Sequence, residues 1–283
     1  MKLVSYDAGD GARAGVLEEE RVVDAWAALG EPHRGGLREL IAAGRVDDLR
    51  ATLGDRGIPS HPRSAVRLLA PIPDPDKVVC IGLNYGRHAA EGGFEPPASP
   101  TFFAKFRNAL AASGETVRLP ANSDRVDYEA EVAFVVGRRA AGVPEAEALD
   151  HVAGYTLLND LSARDLQFAT PQWMPGKVFD GSAPCGPALV TPDEAGPPDR
   201  IGVRLTLNGT ELQAATTEDL IFGVPELLSH LSGLMTLEPG DIVSTGTPEG
   251  VGSLREPRIW LAEGDEIAIE SPTLGRLETR IAR

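Results

Sequence analysis

Two kinds of residue pair in this chain have the types and spacing to do chemistry. Glu129 and Glu131 stand two apart in the run DYEAEVAFVV, residues 127–136. Read as a β-strand, that run places Glu129, Glu131, Ala133 and Val135 on one side and Tyr128, Ala130, Val132, Phe134 and Val136 on the other. The two carboxylates then lie roughly 7 Å apart. Burying both is disfavoured by repulsion unless a cation lies between them, and oxygen donors suit a hard divalent ion. A solvated strand face would show the same alternation. His88 and Glu91 form the second pair, at i and i+3 after an apolar run that ends at Gly82. On a helical turn they share a face. A carboxylate beside an imidazole fixes its tautomer and raises its basicity, as a water-activating base requires. A surface ion pair is the plainer alternative.

Three more segments carry candidate groups. Asp160 ends the run GYTLLND, where a strand gives way to a turn. It either caps the next helix or offers a third hard oxygen ligand. With Glu129 and Glu131 it would complete a three-carboxylate set of the Mg²⁺ or Mn²⁺ kind. Zinc does not fit, because the chain's His and Cys residues do not cluster. Lys177, in GKVFD, is either a solvated lysine or a cation placed to stabilise an enolate or carboxylate. Residues 238–252 run from a strand into a glycine-rich turn whose N–H groups could hold a carboxylate or phosphate. This turn lacks the Gly-Lys-Ser/Thr ending of a phosphate loop and any following helix.

The elements that must position these groups are mostly strands. Residues 2–6, 13–17 and 21–24 read as short strands, and 37–43 and 46–53 as short helices. The proline-rich stretch 71–76 can sit in neither a helix interior nor a central strand. It sets an expected boundary between a small N-terminal α+β unit, 1–70, and a larger unit, 71–283. Strands follow at 77–82, 101–106, 127–136, 152–158, 203–207, 210–213, 241–244, 258–260 and 266–270. Asn208-Gly209 suits a type I′ hairpin turn. One long helix is expected over 224–235, capped by Asp219 or a nearby Thr, with Leu227, Leu228, Leu231 and Leu234 as its apolar stripe. Strands without regular helical crossovers argue for an α+β, β-rich fold, a mixed sheet rolled or sandwiched, and against a Rossmann or TIM layout. Residues 92–100 and 168–176, rich in Gly, Pro and aromatics, read as connectors or active-site lids.

Bulk properties narrow the partners. The 283 residues carry 42 acidic and 27 basic side chains, a net charge of −15. So acidic a chain is unsuited to nucleic acid or anionic lipid, and an anionic substrate would need a local positive site. Cys80 and Cys185 are too few for a disulfide framework. No apolar run is long enough to span a membrane, and the first residues, MKLVSYDAGDGARAG, contain no long apolar core. A cytoplasmic protein is expected.

In this order, GLNYxxHxxE (82–91), DYExE (127–131), GYTxxNDxSARD (154–165), GKxFD (176–180) and GDIVSTGTPEGVG (240–252) form a joint signature that resembles the fumarylacetoacetate hydrolase family. The resemblance covers roughly residues 71–275. It implies a mixed-sheet fold, a divalent metal held by Glu129, Glu131 and Asp160, and an acid/base pair His88–Glu91. It also implies Lys177 as stabiliser of a developing enolate, and Gln167 and Thr247 as binders of substrate oxygens. Arg164 and Lys105 match family positions as further substrate-binding or structural residues. The implied substrate is a 2-keto or 2,4-diketo acid cleaved at a C–C bond, with oxaloacetate decarboxylation or isomerisation of a 2-hydroxymuconate-type acid as alternatives. A metal- or carboxylate-binding protein without turnover is the non-enzymatic alternative. A homodimer is the family expectation.

Overall fold

The computed structural model describes every residue except Asp10, Asp55, Arg56 and Phe94. The expected lid 92–100 includes Phe94, and that part of the expectation lies outside the described residues.

The strand Ala130–Val136 has both faces buried, and its alternation divides the molecule's interior. Val132, Phe134 and Val136 point into one core, shared with Leu205, Ile269 and Leu277. Ala133 and Val135 point into another, shared with Trp26, Leu37 and Leu40 of the N-terminal segment. Such a strand must be central in its sheet. It pairs antiparallel with Val152–Asn159 on one side and with Ile242–Ser244 on the other. The long path of this sheet continues outward from Val152–Asn159 through Ala183–Val190, Lys2–Asp7, Ala12–Glu18, Arg21–Asp24 and Ser60–Pro62. In the other direction it ends with Val78–Gly82 and Thr101–Lys105. The strands of residues 1–70 thus extend the same sheet, joined through Lys2 opposite Val190 and Leu3 opposite Leu189. A five-stranded sheet, Thr210–Thr216, Gly202–Leu207, Glu266–Ser271, Gly275–Ala282 and Thr116–Arg118, covers the first core. The fold is α+β and sheet-dominated.

Local details follow residue chemistry. The hairpin between residues 207 and 210 turns through Asn208 at φ 50° and Gly209 at φ 80°, the paired positive values of a type I′ turn. The helix Val224–Leu234 buries Leu227, Leu228 and Leu231; burial of each such side chain stabilises by about 1.5–3 kcal/mol.

Three expectations fail. Asp219 does not cap that helix; Gly223 stands at the N-cap position and Pro225 opens the first turn, where a missing N–H costs nothing. Leu234 is 60% exposed and lies off the apolar stripe. Residues 258–260 form no strand. Ile259 within the segment and Leu261 just after it each donate one backbone hydrogen bond, to the Gly252 and Val126 carbonyls, which fastens the segment without a ladder.

Candidate active site

The regular strand does not begin at Asp127. Val126–Asp127 pairs with Ser162–Ala163, and the ladder resumes only at Ala130. Between them the Glu129 N–H is taken by the Asn159 side chain at 3.1 Å. Across this break Asp127 and Glu129 share Arg164, while Glu131 has partners of its own. Asp127 is fully buried and accepts from the Gly252 and Ser253 N–H groups and from Arg164 Nε at 2.9 Å. Glu129 and Glu131 turn toward Asp160, at the end of Val152–Asn159. One oxygen from each of these three buried acids lies within 4.8 Å of the others. The acids expected to share a strand face are therefore buried together rather than solvated.

Cations hold one part of this cluster. Lys177 Nζ donates to Glu129 Oε2 at 2.7 Å and to Asp160 Oδ2 at 2.9 Å. Arg164 reaches Glu129 at 2.7 Å and Asp127 at 2.8 Å, and donates to Gln167 Oε1 at 3.0 Å. Lys105 Nζ lies 2.8 Å from Asp160 Oδ1. Burial pushes the Glu129 carboxyl up, but Lys177 and Arg164 outweigh it and hold it at about 2. Burial likewise opposes the charge on Lys177, yet Asp160 and Glu129 keep its ammonium above the ordinary lysine range.

Glu131 differs. Its Oε2 accepts from Ser244 Oγ and from the Gly246 N–H at 3.1 Å. Among the described residues no Lys, Arg or His comes within ion-pair distance of it. Burial, then Asp160 and Glu129, push its carboxyl well above the usual range. With all four ionised, the carboxylates of Asp127, Glu129, Glu131 and Asp160 face three cations, which would leave one unbalanced negative charge in a buried place. A divalent cation among Glu129, Glu131 and Asp160 would remove that imbalance, and three carboxylate donors suit a hard ion. The donor set therefore fits a divalent metal.

The helical turn Gly86–Glu91 delivers His88 to the same cavity. His88 Nδ1 is buried, without a hydrogen-bond partner, and lies 3.6 Å from Glu91 Oε2. Glu91 is held below the usual carboxylate range by His88 and by the Gly250 N–H, which donates at 3.0 Å. Asn84 fixes the approach to this turn. Its side chain donates to the Phe222 and Thr245 carbonyls and accepts from the Phe222 N–H. The preceding residue, Leu83, takes φ 57°, a left-handed conformation rare for a branched side chain.

The cavity is about 480 Å³ in volume. Of the residues singled out from sequence, His88, Glu129, Glu131, Asp160, Arg164, Gln167, Lys177 and Thr247 line it, and Lys105 and Glu91 do not. Lys105 lies beneath Asp160, with its ammonium also on Ser182 and the Lys177 carbonyl. Thr247 Oγ1 is set by Gln213 Nε2 at 2.9 Å and donates to the Ala130 carbonyl. Gln213 comes from the other sheet and carries no sequence signal. The glycine-rich turn does hold carboxylates through its N–H groups, but they are the protein's own: Gly246 binds Glu131, Gly250 binds Glu91, and Gly252 binds Asp127. In the segment 168–176, Trp173 packs edge-on to Phe103, ring centroids 6.0 Å apart, and lies against Gly82. A Cβ at residue 82 would come 2.4 Å from the indole. Cys80 and Cys185 are buried, and burial raises both thiols.

The model of the fumarylacetoacetate hydrolase C-terminal domain matches residues 77–282. The chain belongs to the fumarylacetoacetate hydrolase family. It is 41% identical over 221 residues to the mitochondrial oxaloacetate tautomerase fahd2 of Xenopus laevis, covering 77% of this chain and 69% of that one. Its fold superposes on fumarylacetoacetate hydrolase from Exiguobacterium antarcticum with a TM-score of 0.87 at 32% identity, over 100% of both chains. Maleylpyruvate hydrolase from Sphingobium sp. SYK-6, solved with manganese(II) and pyruvate, gives 0.82 at 30% identity, over 100% of this chain and 99% of that one. Enzymes of this family thus include hydrolases and a tautomerase. No helix among the described residues is long and apolar enough to cross a membrane.

Proposed function

We propose that this protein is a divalent-metal-dependent enzyme that acts on 2-keto acids, hydrolysing the C–C bond of acylpyruvate-type 2,4-diketo acids. One observation carries the reading: a single cavity holds a three-carboxylate cluster short of positive charge and, apart from it, a histidine with its own carboxylate. A Mg²⁺ or Mn²⁺ ion held by Glu129, Glu131 and Asp160 would supply a Lewis acid for the two oxygens of a 2-keto acid. The buried charge supports the substrate class. With a dication the site carries one net positive charge, which the single carboxylate of the bound acid balances.

The chain's own residues divide the remaining work. His88 takes a proton from water, and Glu91 stabilises the imidazolium that results. The hydroxyl adds to the distal carbonyl carbon, the adjacent C–C bond breaks, and His88 returns the proton to the departing carbon. Lys177 has three N–H donors, two of them taken by Glu129 and Asp160. The third stabilises negative charge developing on the substrate oxygen. Arg164 fixes Glu129 and presents Gln167, while Thr247, set by Gln213, would reach a substrate oxygen by turning its one O–H away from the Ala130 carbonyl.

Resemblance to the oxaloacetate tautomerase supports a second reading, in which only protons move between the keto and enol forms of oxaloacetate. The two are separated by assaying short acylpyruvates and enol-oxaloacetate with Mg²⁺ and with chelator. Acylpyruvate cleavage lost on chelation supports the hydrolase. Oxaloacetate ketonisation alone supports the tautomerase, and turnover that survives chelation overturns both.

A further inference from the structure

The buried end of the cavity is the acidic cluster, but the exposed end is basic. Arg125 and Arg258 both line the cavity and are both exposed. Backbone bonds bring their segments together there. Leu261 donates to the Val126 carbonyl at 2.9 Å, so residues 258–261 run beside 125–126, and Arg164 donates to the Arg125 carbonyl at 2.9 Å. Neither guanidinium makes a hydrogen bond or ion pair with any described residue. In a chain with a net charge of −15, most arginines have found a carboxylate or carbonyl. Two like charges left unpaired at one cavity mouth repel, and an anion between them would relieve that repulsion. Asp165, the remaining acid of the lining, lies beyond ion-pair distance of both. Its Oδ1 is occupied by Ser123 Oγ at 2.6 Å and the Leu166 N–H at 3.0 Å.

Apolar side chains also line the cavity: Phe103 is buried, Trp173 and Trp260 are half-buried, and Phe168 and Leu254 are exposed. The charge count at the inner end adds a second argument. Once a dication and one substrate carboxylate are in place, that end is neutral and offers nothing to a second anionic group. A second anion would find its counter-charge only at the arginines.

We propose that Arg125 and Arg258 form a distal anion subsite that receives a second carboxylate, so that the protein selects 2-keto acids ending in a carboxylate over equally long acids with an apolar end. The inference rests on the 2-keto-acid reading of the inner site. Both arginines determine specificity and neither takes part in bond breaking. Arg258 follows Glu256-Pro257 in the segment expected from sequence to be a strand. Because that segment forms no ladder, its side chains stand at the cavity rather than in a sheet face.

The test uses two acids of equal length: succinylpyruvate, which ends in a carboxylate, and butyrylpyruvate, which ends in a methyl group. Calorimetric titration of the Mg²⁺-loaded protein, with His88→Ala added to the wild type and to every variant alike so that cleavage is suppressed, reads their affinities apart from turnover. The wild type is expected to bind succinylpyruvate at least about tenfold tighter, as a charge-assisted contact predicts. In the double variant Arg125→Gln/Arg258→Gln the ratio falls toward one, and the corresponding Lys variants, which keep charge but lose the planar fork, retain part of it. Equal affinities in the wild type, binding of neither acid, or an unchanged ratio in a double variant that keeps the wild-type melting temperature would overturn the proposal. Hydrolysis is read separately, as pyruvate release. If neither acid is cleaved, the hydrolase reading falls while the affinity ratio still decides the subsite.

Discussion

Glu129 and Glu131 are two residues apart, equally buried and part of one acidic cluster, yet their surroundings are opposite. Glu129 has Lys177 and Arg164 against it and is held ionised. Glu131 has a hydroxyl and a backbone N–H but no cation, and is pushed toward its protonated form. A buried carboxylate is stable only when its charge is matched. The Glu129 side is matched by the chain itself. The Glu131 side is left unmatched, an asymmetry that suits a receptor for a cation better than a closed salt-bridge network.

The largest effect should come from breaking the matched side. Lys177→Met leaves Glu129 and Asp160 facing each other without their shared ammonium. Loss of one partner from a buried pair costs about 3–5 kcal/mol, so chemical denaturation of the metal-free protein should show a fall of that order. A loss below 1 kcal/mol would mean that Lys177 does not hold the cluster together.

His88→Ala tests whether proton chemistry is separate from charge matching. Acylpyruvate cleavage should drop about a hundredfold or more, the usual contribution of a positioned base, while Mg²⁺ affinity measured by calorimetry stays within about twofold. Equal losses in both would place His88 in the metal site instead.

Gly82→Ala perturbs the wall opposite neither acid. The added methyl would come 2.4 Å from the Trp173 ring, and overpacking of that kind costs about 1–3 kcal/mol. The segment 168–176 should be displaced, raising KM and changing the tryptophan fluorescence, with Mg²⁺ binding retained. Unchanged KM and emission would show that Trp173 does not close on the substrate.

The smallest effect sharpens the contrast at Glu131 itself. Its carboxyl is raised in the fold, so the metal-free protein holds a proton there that the unfolded chain has released. That contribution to stability is present below the ordinary carboxylate range and is lost as pH rises through the raised value. The slope is at most about 1.4 kcal/mol per pH unit. Glu131→Gln should remove this slope, and saturating Mg²⁺ should suppress it in the wild type, since metal binding displaces the proton. A slope that persists in Glu131→Gln would assign the titration to another group.

Much of the inner site was legible in the sequence because its residues are tied to short motifs. The two-residue spacing of Glu129 and Glu131 survives as a shared destination even though the strand breaks between them. The i, i+3 spacing of His88 and Glu91 survives because a single helical turn carries both. Less legible were the residues that arrive from other elements. Gln213 sets Thr247 from a separate sheet, Asn84 ties the His88 turn to Phe222 and Thr245, and Lys105 supports Asp160 from below. The expected strand at 258–260 failed for the same reason: a β-like run of side chains forms a strand only where a neighbouring backbone is free to pair.

By itself, the sequence determined the alternating faces of residues 130–136, the type I′ turn at Asn208-Gly209 and the acid and base groups available for chemistry, because these depend on spacings of a few residues. The tertiary structure alone decided which carboxylate is matched and which is not, since that depends on cations brought from residues 105, 164 and 177. It also decided that Arg125 and Arg258 stand unpaired at one cavity mouth. They are far apart in the chain, and the backbone bond between Leu261 and Val126 brings their segments together.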